Sequence, residues 1–146
     1  MKKAVFLDRD GVINDNRELV NKVKDLKIYP WVYDAIRLFN QNGYMVFIIT
    51  NQGGIELGYL TEQDLYEIHN KLLKCMENNR VIIDDIEYCP HFNKPCDCRK
   101  PKPGMILKLA KKYNINLSES WVVGDSDNDM MAGLKAGCKV IKVKNN

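Results

Sequence analysis

Apolar residues along the chain occur either in short continuous runs or at helical spacing. Runs at 4–7, 44–50, 121–125 and 139–143 have the length of strands, and a weaker run lies at 83–89. The segments between them predict helices over 30–43, 61–76, 104–113 and 127–137. This alternation of strand and helix predicts an α/β fold with a doubly wound, Rossmann-like parallel sheet. The intervals are too short for a large cap domain, so we expect a single domain over 1–146.

Polar residues at the helix ends predict specific caps. Thr61, followed three residues later by Asp64, predicts a capping box at the start of the second helix. Gly137 predicts the end of the fourth helix. We expect Asp127 to be the N-cap of that helix. Asp129 is expected to be either a supporting acid behind the functional residues or an acid that interacts with the helix dipole in the first turn.

Composition and charge exclude several classes of function. The net charge of +3 is small and the basic residues are scattered, so a nucleic-acid partner is not expected. No stretch approaches the roughly 18 apolar residues of a membrane span. The N-terminal apolar run is too short for a signal peptide. We therefore expect a cytoplasmic, monomeric protein that contacts neither nucleic acid nor membrane.

Polar residues gather at the ends of the predicted strands. Because the carboxyl ends of parallel strands share one edge of a sheet, these residues should converge there. Paired carboxylates suit Mg²⁺ bound together with a phosphate, and hydroxyl, amide and cationic groups can hold phosphoryl oxygens. The alternative is that the first two acids only end a strand and begin a turn. The residues concerned are Asp8 and Asp10, Thr50 and Asn51, Arg99 and Lys100, and Asp125.

Four metal-ligand residues lie within ten positions of one loop. Cys89, His91, Cys96 and Cys98 provide a Cys₃His set suited to tetrahedral Zn²⁺. All four positions would be filled by protein, which is typical of a structural zinc. Disulfides or loose thiols are the alternative, although clustered cysteines in the cytoplasm more often bind metal.

The remaining cysteines and histidine lie outside this loop. Cys75 and Cys138 fall on apolar patterns and are expected to be small buried side chains. His69 lies within the second helix, where a satisfied or surface residue is expected rather than a ligand.

Four stretches together resemble the motifs of the haloacid-dehalogenase-like phosphatases, in order and in spacing. They are FLDRDGVIN, IITNQGGI, CRKPKPGM and VVGDSDNDMMAG. More closely, the chain is similar to D-glycero-D-manno-heptose 1,7-bisphosphate phosphatases and their relatives, the histidinol-phosphate phosphatases. The resemblance extends from Val5 to about Gly137, and it also implies a zinc loop at the position of the cysteine cluster.

The resemblance implies a role for each matching residue. Asp8 is the nucleophile and Asp10 the general acid and base, while Thr50 and Lys100 stabilise the transferring phosphoryl group. The catalytic Mg²⁺ is implied to bind Asp8, the Asp10 backbone carbonyl and Asp125. Substrate binding is implied for Asn51, Gln52, Gly53 and Arg99. Lys102 is the alternative to Lys100.

The substrate implied by the resemblance is a phosphosugar, most closely the 7-phosphate of a heptose bisphosphate. Histidinol phosphate is the alternative within the enzyme class, and a polynucleotide 3′-phosphatase would need a basic stripe that the chain lacks. A receiver-type signalling domain or a zinc-binding interaction module would be a different class of protein. Substrate selection is expected from loops 14–28, 52–60 and 89–103.

Overall fold

A computed structural model describes residues 1–144 and shows five parallel strands, which are β1 Lys3–Leu7, β2 Tyr44–Asn51, β3 Asp85–Cys89, β4 Trp121–Gly124 and β5 Lys139–Lys142. Their order across the sheet is β3-β2-β1-β4-β5. The central strand β1 is apolar and almost completely buried, as expected for a strand covered on both faces. The predicted strands are all present, including the weak one at β3.

Helices cover the sheet from both sides and bury two apolar clusters against it. The first two helices pack on one face around Ile36 and Leu65, while the last two pack on the other around Leu109 and Ala132. The predicted α/β fold is confirmed. Within residues 1–144, no helix is long and apolar enough to cross a membrane. The bounds are α1 Val32–Gln41, α2 Glu62–Asn78, α3 Gly104–Tyr113 and α4 Asp127–Ala136.

The helix caps agree with the sequence at α2 and differ at α4. The side chains of Thr61 and Asp64 form the predicted capping box. The prediction of Asp127 as the α4 N-cap is wrong, because Ser126 takes that position and forms a capping box with Asp129. Asp127 is the first helical residue, and its exposed carboxylate pairs with Lys142 at 2.9 Å. An acid in the first turn still interacts favourably with the helix dipole.

The direction in which strands are added to the sheet reverses between β1 and β4. The chain proceeds from β1 to β2 and β3 on one side, then returns to place β4 and β5 on the other. A crevice forms outside the carboxyl ends of the strands at such a reversal, and ligands of open α/β sheets bind there. Asp8 follows β1 and Asp125 follows β4, so both lie at this position.

Candidate active site

A buried lysine links two carboxylates at the crevice. Lys100 Nζ donates to Asp8 Oδ1 at 2.9 Å, to Asp129 Oδ1 at 2.6 Å and to the carbonyl of Ile49 at 2.9 Å. All three of its donors are therefore used, although the residue is only 4% exposed. The cysteine-loop segment thus supplies a cation to the acids that follow β1 and β4.

The charges of this cluster do not balance when both acids are ionised. Burial raises the pKa of Asp8 from 3.8 to about 7, with Asp129 adding to the rise and Lys100 opposing it. Burial alone would lower the pKa of Lys100, but the two carboxylates hold it above its ordinary value. Two acids that share one lysine leave room for one more positive charge, either a proton or a metal ion.

Asp125 completes a group of three carboxylates suited to a cation. Oxygens of Asp8, Asp125 and Asp129 all lie within 4.8 Å of one another. Gly124 makes this approach possible, because a Cβ atom there would overlap the Asp129 carboxylate. Oxygen ligands of this kind fit Mg²⁺ better than a soft metal.

Asp10 is held by a separate set of donors. Its Oδ1 accepts from Arg9 Nε at 3.1 Å, from Arg9 Nη2 at 2.7 Å and from Asn14 Nδ2 at 3.0 Å. Its Oδ2 accepts from Gln52 Nε2 at 3.2 Å. Burial raises the pKa of Asp10, but Arg9 and the amide donors outweigh it and hold the pKa below 3.8. In the resting site Asp10 is a carboxylate, the form that accepts a proton.

Arg9 also contacts the second helix. Its Nη1 lies 3.0 Å from Nε2 of His69, and both side chains are buried. The sequence predicts that His69 is either a buried, hydrogen-bonded residue or a surface residue. The structure shows the first of these. No sequence pattern connects His69 with the acids.

The residues after β2 tie the site together. Gln52 Nε2 donates to Thr50 Oγ1 at 2.8 Å as well as to Asp10. Asn51 exchanges two hydrogen bonds with the backbone of Lys100. The Gln52 and Asn51 amides therefore contact other site residues, and this geometry favours positioning roles over direct contact with substrate.

Three of the four predicted zinc ligands lie together. The sulfur atoms of Cys89, Cys96 and Cys98 are within 4.8 Å of one another, and His91 is not part of that group. The Sγ atoms of Cys89 and Cys98 are paired as a disulfide, and Cys96 Sγ lies 3.7 Å from Cys89 Sγ. Zinc binding would need the reduced thiolates and a movement of His91.

Arg99 lies nearer the surface than Lys100. Its Nη1 donates to the carbonyl of His91 at 2.9 Å, and its guanidinium lies over the Phe92 ring at 5.2 Å. Gly53 is close by, since a Cβ there would lie 3.0 Å from Arg99 Nη1. The loop after β2 and the cysteine loop thus form one wall beside the buried acids.

Lys102 donates to the carbonyl of Cys96, so Lys100 rather than Lys102 reaches the acids.

Sequence reasoning missed or undervalued several residues of this site. Asp129 is predicted as a supporting acid or a helix-dipole partner, yet it contacts Lys100 directly and is 1% exposed. The sequence pattern does not single out Arg9 or Asn14, although each donates to Asp10. One signal was available for His69, since it shares the buried face of α2 with Leu72.

Known proteins share this arrangement of elements. A HAD-hydrolase-like family model matches residues 97–146. The D-glycero-alpha-D-manno-heptose-1,7-bisphosphate 7-phosphatase of Campylobacter jejuni is 41% identical over 134 residues, which cover 92% of this chain and 77% of the relative. The D-glycero-beta-D-manno-heptose-1,7-bisphosphate 7-phosphatase of Rhodopseudomonas palustris is 42% identical over 144 residues, covering 93% and 80%.

A solved structure agrees closely with the fold. It is the D,D-heptose 1,7-bisphosphate phosphatase of B. bronchiseptica complexed with magnesium and phosphate. The two structures superpose with a TM-score of 0.89 at 34% identity, over 94% of this chain and 78% of the other.

The fold and the site define a phosphatase of the haloacid-dehalogenase-like class. Its features are the parallel sheet, the acids where the strand order reverses, and the buried lysine. Within that class, the chain belongs to the family whose curated members are named heptose-1,7-bisphosphate 7-phosphatases.

Proposed function

We propose that this enzyme removes the 7-phosphate of D-glycero-D-manno-heptose 1,7-bisphosphate through an aspartyl-phosphate intermediate on Asp8. The observation that carries the proposal is the contact of Asp8 with Lys100 inside a group of three carboxylates. The names of relatives about 40% identical support the sugar. Those names include both anomers, so either anomer is a candidate.

The chain's own residues can divide the two half-reactions. Oδ1 of Asp8 is held by the Arg9 backbone N–H and by Lys100, both at 2.9 Å, which leaves Oδ2 to attack phosphorus. As the P–O ester bond breaks, Asp10 gives a proton to the departing sugar oxygen. Asp10 then takes a proton from a water molecule, which attacks phosphorus and releases phosphate and free Asp8. The approach of the anionic ester raises the pKa of Asp10, so that it carries a proton for the first step.

Magnesium fits the acid cluster on the chemistry of its donors. Asp8, Asp125 and the backbone carbonyl of Asp10 would hold it, with Asp129 as the acid that anchors Lys100 beside it. When bound, the ion neutralises charge on the phosphoryl oxygens. Lys100 would supply positive charge and the Thr50 hydroxyl a hydrogen-bond donor to the phosphoryl oxygens.

We propose that Cys89, Cys96 and Cys98 hold a structural Zn²⁺ when reduced, with His91 as the fourth ligand. Clustering of the three sulfur atoms supports this. The apparent binding energy of a structural zinc, roughly 10–16 kcal/mol, is ample to fix a loop without regular secondary structure. The loop leads directly into Arg99 and Lys100, so its order determines where both cations lie.

A panel of phosphate esters tests the substrate assignment. Purified enzyme with Mg²⁺ is given both anomers of the heptose bisphosphate, the corresponding monophosphates and histidinol phosphate, and released phosphate is measured. We expect the highest kcat/KM for one heptose bisphosphate anomer and no turnover by Asp8→Asn. A preference for histidinol phosphate would overturn the sugar assignment, and normal turnover by Asp8→Asn would overturn the nucleophile.

The single domain, the monomeric state and the cytoplasmic location stay predictions. Sedimentation of the purified protein would measure its mass in solution. Limited proteolysis would show whether the chain behaves as one folding unit.

A further inference from the structure

His69 is buried against Arg9, in the segment that follows β1, although the proposed chemistry does not use it. It lies on α2 between the apolar residues Leu65 and Leu72, and it is 8% exposed. Its Nε2 lies 3.0 Å from Arg9 Nη1, while its ring meets Tyr88 edge-on at 6.5 Å between centroids. A histidine serving only as core packing would not need a charged partner.

The chemistry of the pair fixes the form of the imidazole. Arginine can only donate hydrogen bonds, so His69 Nε2 must accept. The ring is therefore neutral and carries its proton on Nδ1. Burial, reinforced by the positive charge of Arg9 and opposed by Asp10, lowers the pKa of His69 to about 3, in agreement with this form.

His69 provides the hydrogen-bond acceptor for the one guanidinium nitrogen of Arg9 that does not contact Asp10. The arginine side chain is 1% exposed, and it uses Nε and Nη2 on Asp10 and Nη1 on His69. A buried guanidinium with an unsatisfied N–H is costly, so the acceptor on α2 determines where the group rests.

Arg9 in turn distinguishes the two oxygens of Asp10. Oδ1 accepts both arginine donors and Asn14 Nδ2, whereas Oδ2 accepts Gln52 Nε2 at the longer distance of 3.2 Å. An oxygen with three donors has little capacity to bind a proton. Oδ2 is therefore the oxygen suited to exchange a proton with the leaving group and with water.

We infer that His69 is a positioning residue for proton transfer, which holds Arg9 so that Asp10 presents Oδ2 to the leaving-group oxygen. This inference rests on the proposed role of Asp10. It adds a residue from α2 to a site otherwise formed by the strand ends, the first turn of α4 and the cysteine loop.

Leaving-group dependence separates positioning of an acid from general support of the fold. The parameter kcat/KM reports steps up to departure of the leaving group. Loss of proton donation slows release of a sugar alkoxide strongly, whereas p-nitrophenolate is a weak base that leaves without a proton. The same comparison with Asp10→Asn provides the reference pattern.

The variants are His69→Leu, which removes the acceptor, and His69→Gln, whose amide oxygen can replace it. For His69→Leu we expect kcat/KM to fall about 10-fold or more with the sugar phosphate and less than about 3-fold with p-nitrophenyl phosphate. His69→Gln should restore most of the loss. The control Leu72→Ala damages packing on the same helix but removes no hydrogen-bond acceptor, so its effect should be equal for both substrates.

Equal losses with both substrates in His69→Leu, or no loss, would overturn the inference while leaving the proposed function intact. Failure of wild-type enzyme to hydrolyse the sugar phosphate, or a lack of selectivity in Asp10→Asn, would instead overturn the proposed function and this inference with it. ¹⁵N NMR of the wild-type imidazole tests the pair without any variant. We expect protonated Nδ1 and bare Nε2 from about pH 5 to 8, and titration near 6.5 would contradict the pairing.

Discussion

Asn51 and Lys100 are joined by two reciprocal hydrogen bonds although 49 positions separate them. Asn51 Nδ2 donates to the Lys100 carbonyl at 3.1 Å, and the Lys100 backbone N–H donates to Asn51 Oδ1 at 3.0 Å. The end of β2 thereby fixes the peptide whose side chain reaches Asp8. Loss of this pair should move Lys100 without removing any charge from the site.

Asn51→Ala should lower kcat by about 10-fold or more, because a displaced cation stabilises the transferring phosphoryl group less well. The variant Asn51→Asp keeps an acceptor for the Lys100 N–H but places a carboxylate oxygen against the Lys100 carbonyl, so kcat should fall in this variant as well. Steady-state kinetics at saturating Mg²⁺ gives both values. Unchanged kcat in Asn51→Ala would show that Lys100 keeps its position without this contact.

Stabilisation by Mg²⁺ should depend on pH through Asp8. The pKa of Asp8 is about 7 in the metal-free folded protein and 3.8 ordinarily, so the folded state binds the extra proton in that window. Its contribution to the free energy of unfolding therefore falls as pH rises from about 4 to 7. Mg²⁺ must displace this proton, so the gain in Tm on adding Mg²⁺ should be larger at about pH 8 than at about pH 5.5.

Thermal denaturation with and without Mg²⁺ measures this gain in Tm at each pH. The lowered pKa of His69 makes the free energy of unfolding rise with pH, but this contribution cancels because the two Tm values are compared at the same pH. Asp8→Asn is the matched control, because it keeps the shape and loses the titration. In that variant the gain in Tm on adding Mg²⁺ should be small and should not change with pH. An equal gain at both pH values in the wild-type protein would contradict the assignment.

Reduced wild-type protein should contain about one zinc per chain, and Cys96→Ser should lose it. Three thiolates bind zinc far better than two, which is the physical reason for the loss. Cys75→Ser is the matched control, because Cys75 is a free cysteine of α2 outside the cluster. Elemental analysis gives the stoichiometry. Equal zinc in Cys96→Ser and in wild type would place the metal elsewhere.

Glu56 should affect substrate binding through the cysteine loop. Its carboxylate accepts the backbone N–H groups of Phe92, Asn93 and Lys94 at 3.0, 2.9 and 3.2 Å, and these bonds, led by that from Asn93, lower its pKa. Glu56→Ala should loosen the segment that positions Arg99.

We expect KM for the sugar phosphate to rise several-fold in Glu56→Ala while kcat changes little, the pattern of lost uniform binding. Glu67→Ala, on the exposed surface of α2, is the control for removal of a glutamate charge and should leave both parameters unchanged. A fall in kcat with unchanged KM would mean that the loop acts on the chemistry instead.

The sequence by itself determined the fold and the convergent acids. Each strand and helix has a local pattern of period two, of period 3.6 or of continuous apolar residues, and such patterns lie within a short window of chain. Asp8 and Asp125 could be placed at one edge because every parallel strand ends there. The cysteine cluster could be recognised from the sequence because its candidate ligands lie close together along the chain.

The tertiary structure decided which atoms of those segments touch. His69 and Arg9 are 60 positions apart, and their contact depends on how α2 is rotated and how far the turn after β1 reaches. Periodicity showed that this face of α2 is buried but not what it is buried against. Asp129 shows both kinds of contact: its capping box with Ser126 has the same local spacing as that of Thr61 and Asp64, whereas its contact with Lys100 depends on the assembled fold. Long-range side-chain partners arise from the assembled fold, and no local window of sequence contains them.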